Sequence, residues 1–255
     1  MLRVDTLQEL FVAAETLSRF RANGHGRLTV MTNAGGAGVM AADAAAHEGV
    51  ALADPGCALL ARLDALLPAN WSRANPIDII GDAPAERYAE TLGALLADAS
   101  AGAVLFMHAP TAIVRSEDVA RACLPLLRGH ASRVMSAWLD DDAVAQARRL
   151  FEDAGVADYA TPEEAVHAFA MLQTYRRNQE ILMETPGADQ GAVPDAAAVH
   201  ATLGAALAEQ REWLGEQEAK SLLRAYGIET VPTVALAPTA EAAVELPRGW
   251  DTRWR

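Results

Sequence analysis

Strand and helix signals alternate along most of this chain, several of the strands are unbroken apolar runs, and the first of them feeds a glycine-rich turn. These observations predict an α/β fold: a three-layer domain over about 1–185, built on an open parallel sheet with helices on both faces. The strand at 28–32 is expected at the centre of that sheet. Of the 255 residues, 51% are hydrophobic, enough for one sizeable core and a second small unit. Alanine is abundant and aromatic residues are few, which suits helices packed closely on a sheet.

The elements follow in order. Asp5 to Phe20 reads as an amphipathic helix with Leu7, Leu10, Phe11, Ala14 and Leu17 on one face, stopped by Asn23-Gly24. Strands are expected at 28–32, 50–53, 77–80, 103–107, 133–137 and 156–159. Helices are expected at 37–48, 56–66, 84–98, 116–128, 140–154 and 162–183. The run Ala103-Val104-Leu105-Phe106-Met107 is apolar at every position, as in a strand covered on both faces. Thr161-Pro162-Glu163-Glu164 supplies an N-cap, a proline at the first helical position and two acids in the first turn. Pro186, Gly187, Gly191 and Pro194 mark a linker, so 186–212 reads as linker and helix, the helix near 196–210. A new unit opens at Trp213, with a helix at 215–225, Gly227 as its stop and a strand near 231–236. The stretch 213–255 is too short to form a core of its own.

The formal net charge is −13 and the isoelectric point about 4.8, which argues against a broad nucleic-acid surface. Cys57 and Cys123 have no metal-ligand spacing and make no disulfide scaffold. No apolar run reaches membrane-spanning length, and Asp5 and Glu9 sit where a signal peptide would be apolar. The expectation is a cytoplasmic protein.

Four loops could carry chemistry. The first, Thr32 to Gly38, runs from strand to helix through Asn33, Gly35, Gly36, Ala37 and Gly38. A helix starting near Ala37 would present free backbone N–H groups and the positive end of its dipole to an anion, most naturally a phosphoryl group. A tight turn without a ligand is the plain alternative. The second loop holds Asp78, Gly81 and Asp82 ahead of Pro84, and Asp82 in the bland reading caps the next helix. The third is His108 to Ile113, where His108 and Thr111 could meet a substrate at a strand's carboxyl end, though a lone histidine is more often a structural hydrogen-bonder. The fourth, Gly129-His130-Ala131-Ser132, lies at the opposite edge and reads as a connecting turn. Gly36-x-Gly38-x-x-Ala41 with Asp54 downstream satisfies a relaxed dinucleotide pattern, a weak signal by itself. There is no Walker lysine, no Gly-x-Ser-x-Gly elbow and no zinc-type cluster.

Three segments in joint order carry a resemblance: Thr32-Asn-Ala-Gly-Gly-Ala-Gly38, Asn75-Pro-Ile-Asp-Ile-Ile-Gly-Asp82 and His108-Ala-Pro-Thr-Ala112. With the leader Val4 to Phe11, they resemble the nucleoside-diphosphate-forming acyl-CoA synthetases over about 4–185. Leu214 to Lys220 and Tyr226-Gly227-Ile228 are similar to the opening of that family's ATP-grasp domain. The resemblance implies a flavodoxin-like CoA-ligase domain followed by the start of an ATP-grasp domain. It implies an acid–thiol ligase reaction using ATP or ADP, CoA and Mg2+, in which a phosphohistidine carries the phosphoryl group. Two helix N-termini from neighbouring domains grip that phosphohistidine, and the helix near Ala37 would be one of them. The family's His-Thr-Gly segment, its CoA-binding domain and most of the ATP-grasp domain have no match here. The resemblance therefore implies partners, on this chain or others, and no complete reaction by these residues alone. A docking fragment or remnant, and an unrelated dinucleotide-binding oxidoreductase, are the alternatives.

Overall fold

The computed structural model describes residues 2–20, 26–185, 194–231 and 239. The stop at Asn23-Gly24 and most of the strand expected near 231–236 lie outside the described residues. Two compact units divide the chain, Met1–Glu184 and Thr185–Arg255.

The first unit is built on five parallel strands: β1 (Leu28–Thr32), β2 (Ile77–Asp78), β3 (Ala103–His108), β4 (Val134–Trp138) and β5 (Ala157–Tyr159), in the order β2-β1-β3-β4-β5. All residues of β1, β3 and β4 are buried, which is what their apolar runs predict. β1 is interior, but the middle strand is β3, in register from Val104↔Val134 to His108↔Trp138.

Helices cover both faces. α1 (Leu7–Arg19), α2 (Gly35–Glu48) and α7 (Pro162–Met183) close one side over Leu28, Val30, Leu105 and Met107. On the other, α3 (Cys57–Leu66), α4 (Ala85–Ala97), α5 (Ser116–Leu127) and α6 (Ala145–Asp153) cover Met31, Ile77, Phe106 and Trp138. The hydroxyl of Thr161 accepts from the Glu164 amide at 3.1 Å, so the cap read from the sequence is present. Arg133 donates to the carbonyls of Leu96, Asp98 and Gly102 at 2.6–2.8 Å, tying the end of α4 to the start of β3.

Four expectations fail for physical reasons. Residues 50–53 form no strand and pair with β1 by a single bridge, from Leu52 to Leu28. The side chain of Asn75 occupies that edge: its Oδ1 accepts from the Val30 amide, and its Nδ2 donates to the carbonyls of Leu28 and Ala53, each at 2.9 Å. β2 stops at Asp78 rather than 80, because Ile80 turns to φ +69°, outside the extended region. The apolar stripe of α1 is not its buried face: Leu7, Leu10 and Phe11 are exposed, while Ala13, Thr16 and Phe20 are buried. Thr16 hydrogen-bonds the Tyr159 hydroxyl at 2.8 Å, which fixes that rotation. α6 also begins at Ala145, not 140, since Asp140 has φ +93°.

The second unit contains α8 (Ala196–Ala208) and α9 (Glu216–Ala225). The Asp195 amide donates to the Ala225 carbonyl at 3.0 Å, and the Arg211 guanidinium bridges Glu209 and Glu218. Val199 and Ala206 are its buried apolar side chains among the described residues.

Candidate functional site

The strand order reverses between β1 and β3, and in such sheets the crevice outside the carboxyl ends at the reversal takes ligands. β1 ends at Thr32, whose hydroxyl accepts from the Ala34 amide at 3.0 Å. Asn33 is buried, and its amide spans the reversal: Oδ1 accepts from the Ala109 N–H at 2.8 Å, and Nδ2 donates to the Ala109 carbonyl at 2.9 Å. Asn33 therefore orients the loop and spends both polar ends on the backbone after β3.

α2 starts at Gly35, two residues earlier than expected, with Ala34 as an N-cap that offers no side-chain hydrogen bond. The first intrahelical bond is from the Gly38 amide to the Ala34 carbonyl at 3.1 Å. The N–H groups of Gly35, Gly36 and Ala37 have no partner among the described residues, and no acid lies in the first turn. The three glycines do different work. A Cβ at Gly36 would meet nothing within 4 Å. A Cβ at Gly38 would come to 3.2 Å from Thr32 and 3.3 Å from Pro76, so that glycine serves helix–sheet packing. A Cβ at Gly35 would lie 3.1 Å from Oδ2 of Asp78.

Asp78 thus stands beside the start of α2. Its Oδ1 accepts from the Ile80 amide at 2.8 Å and holds the turn there. Gly81 approaches the Asn33 carbonyl, where a Cβ would sit 3.5 Å away. Asp82 caps nothing: the N-cap of α4 is Pro84, and Asp82 instead pairs with Arg87 at 2.6 Å.

His108 does not reach the surface. It is fully buried, with Nδ1 2.9 Å from the Tyr88 hydroxyl and Nε2 3.1 Å from the Ser116 hydroxyl, and its ring lies against those of Tyr88 and Trp138. Burial pushes its pKa down to about 4, so the ring is neutral at pH 7. Thr111 is partly exposed and lines a crevice of about 280 Å³ with Arg115, Glu117, Asp142 and Gln146, between the loops that follow β3 and β4. His130 bonds the Leu126 carbonyl at 3.1 Å in a turn between α5 and β4. Asp54 lines a separate crevice with Gly26, Arg27 and Gly102, residues that precede β1 and β3. That is the amino edge of the sheet, the wrong end for a ribose-binding acid.

The structure so brings the first three loops together at one edge, through the contacts Asn33–Ala109, Gly81–Asn33 and Gly35–Asp78. Sequence reasoning missed the roles of Asn75, Ala109 and Gln146. Asn75 and Ala109 carried a signal, standing in two of the three segments that bear the resemblance. Gln146 carried none.

A parallel sheet in this order, with a glycine-rich helix start at the reversal, defines a flavodoxin-like α/β domain. The Ligase-CoA domain family model matches residues 28–179, and the chain belongs to that family, the one found in ADP-forming acyl-CoA synthetases. It is 32% identical over 177 residues to acetate–CoA ligase [ADP-forming] I of Archaeoglobus fulgidus, covering 69% of this chain and 25% of that protein. It is 25% identical over 244 residues to 4-hydroxybutyrate–CoA ligase [ADP-forming] of Nitrosopumilus maritimus, covering 96% of this chain and 34% of that protein. Among solved structures, the dinucleotide-forming acetyl-coenzyme A synthetase 1 of Ca. Korarchaeum cryptofilum, in complex with phosphate and ADP, superposes with a TM-score of 0.66 at 28% identity, covering 72% of this chain and 40% of that one. The chain spans about a quarter to a third of the length of these two ligases.

Proposed function

We propose that this chain is a module of an ADP-forming acyl-CoA synthetase, and that the N-terminus of α2 receives the phosphoryl group of a phosphohistidine presented by another domain or subunit. The observation that carries this reading is the set of free N–H groups on Gly35, Gly36 and Ala37, uncapped at the sheet's reversal. A helix N-terminus favours an anion by about 0.3–1 kcal/mol, and up to ~2 when partly buried. Donors fixed before the reaction also suit the charge on a transferring phosphoryl group. Asn33 holds the loop in place, and Gly36 leaves room for the ligand. Thr111 belongs to the neighbouring loop, and His108 supports it from beneath without touching substrate.

The reaction would run in stages: phosphorylation of the histidine, exchange of the phosphoryl group between nucleotide and carboxylate, and conversion of the acyl phosphate to acyl-CoA. Among the described residues, no group of three His, Cys, Asp or Glu side chains could hold a metal ion. The resemblance places ATP or ADP, CoA and Mg2+ on other parts of the synthetase, and the chain by itself is expected to be inactive. Two similar proteins of Pyrococcus furiosus are alpha subunits of ADP-forming acetate–CoA ligases, which supports a partner subunit here.

The test is Gly36→Val in the reconstituted synthetase. The added bulk meets open space in the fold but stands in front of the free N–H groups. Phosphoryl transfer should fall at least about tenfold, equivalent to ~1.4 kcal/mol in the barrier, with CoA binding unchanged. A folded variant that turns over at the parent rate leaves the loop as a turn and nothing more.

A further inference from the structure

A second feature of the carboxyl edge lies away from the glycine loop. Asp158 sits on the edge strand β5 opposite Ser136, with its side chain 2% exposed. Its Oδ1 accepts from the Ser136 hydroxyl at 2.8 Å, and its Oδ2 from Arg148 Nε at 2.7 Å. Arg148 is on the first turn and a half of α6, and its Nη1 reaches out to Asp141, 3.6 Å away and fully exposed. One guanidinium thus links a buried carboxylate to the loop after β4. That loop is backbone-strained, since Asp140 holds φ +93°, a region L-residues visit rarely. It is secured by the bond from the Leu139 amide to the His108 carbonyl at 2.9 Å and by a longer one, 3.3 Å, from the Ala143 amide to Asp140. Asp142, Ala143 and Gln146 form one wall of the crevice whose other wall is Thr111 and Arg115.

We infer that Asp158, Arg148 and Asp141 form a proton-controlled latch that sets the position of loop 139–144, and with it the width of the crevice beside Thr111. The physics has two parts. A carboxylate taken out of water is stable in its charged form only while a counter-charge faces it. Held by Arg148, the charged Asp158 keeps the guanidinium turned inward, and Asp141 follows it. When Asp158 takes up a proton, Arg148 loses its buried partner, its remaining carboxylate is the solvated Asp141, and the strained loop is free to relax outward. The groups that face Asp158 are few: Arg148 and Glu152 from α6, Ser136 from β4 and, through Arg148, Asp141. α1 and α7 pack on the other side of β5, against Ala157 and Tyr159. Burial raises the Asp158 pKa to about 6, with Ser136 and Arg148 pulling against it, so the change falls within a range the protein can meet without unfolding.

The reading is independent of the anion site, because its measurement needs no ligand. The carboxyl carbon of Asp158 and the backbone amides of 139–144 are followed by NMR in the full chain as pH is varied. The expected result is a shared midpoint near 6 for Asp158 and for the amides of Asp140 to Ala143. In Asp158→Asn the loop amides should stop titrating over that range. In Asp141→Asn, a surface change that spares the fold, Asp158 should still titrate while the loop no longer follows. Loop amides that stay still while Asp158 titrates overturn the latch, and so do loop amides that keep titrating in Asp158→Asn. Should Asp158→Asn not fold, the comparison of Asp141→Asn with the parent decides alone.

Discussion

Two buried groups give this fold an unusual response to acid. His108 has its pKa lowered by burial from 6.5 to about 4, and Asp158 has its pKa raised by burial from 3.8 to about 6. Their signs are opposite. Between pH 6.5 and 4 the unfolded chain protonates His108 while the folded one does not, so stability falls as pH drops through that window. Between pH 6 and 3.8 the folded chain holds a proton on Asp158 that the unfolded one releases, so stability rises as pH drops. Each pKa unit is worth about 1.4 kcal/mol, so each group contributes roughly 3 kcal/mol across its window. The two contributions nearly cancel, and the parent should show little change in urea midpoint from these groups between pH 6 and 4. Removing one exposes the other. In His108→Gln, which keeps a donor and an acceptor toward Tyr88 and Ser116, stability should climb as pH falls from 6 to 4. In Asp158→Asn it should drop over the same interval. Urea titrations at a series of pH values, with the slope m checked for constancy, read both effects. Parallel pH profiles for the parent and both variants would refute the assignment of these shifts to His108 and Asp158.

Other predictions rest on single contacts. Asn33→Ala strips the Ala109 N–H and carbonyl of their partner and should cost about 1–3 kcal/mol by urea denaturation, with Asn33→Asp no better because it keeps only the acceptor. Gly38→Val should destabilise where Gly36→Val does not, since the former drives a Cβ to 3.2 Å from Thr32 and 3.3 Å from Pro76; thermal melts of the pair separate packing from ligand access. Asp78→Asn removes a negative charge from beside Gly35 and should strengthen binding of inorganic phosphate, read as shifts of the Gly35 and Gly36 amides; weaker binding would mean that the carboxylate helps rather than opposes the anion. Arg133→Met should lower stability by a few kcal/mol by leaving the carbonyls of Leu96, Asp98 and Gly102 without a donor, and Arg133→Lys should recover only part of it.

The alternation of strands and helices was legible because β3 is apolar from Ala103 to Met107 and β1 and β4 are mostly apolar, and because caps such as Thr161 act through their own neighbours. Residues 50–53 were not legible. Val50-Ala51-Leu52-Ala53 has the composition of a buried strand, and only the fold shows that the Asn75 amide fills the place where it would pair. For α1 the helix was legible but its buried face was not: Ala13, Thr16 and Phe20 carry the packing and leave Leu7, Leu10 and Phe11 exposed. At the candidate site, the glycines drew attention as a group. Their separate roles needed the positions of Thr32, Pro76 and Asp78 in space. His108 sat at the expected strand end, yet no spacing rule places hydroxyls from residues 88 and 116 on its two nitrogens.

The amide of Asn75 has a consequence for how the margin of the sheet opens. The outer side of β1 is met by three groups in turn: residues 51 and 53 pair with Leu28, the Asn75 amide takes the Val30 N–H, and β2 and Ile79 take Met31 and Thr32. A side chain thus fills the gap between two stretches of backbone, and it offers no further row of donors and acceptors for an incoming strand to read. Asn75→Val would open that one gap, and its first sign would be faster hydrogen exchange at the Val30 amide.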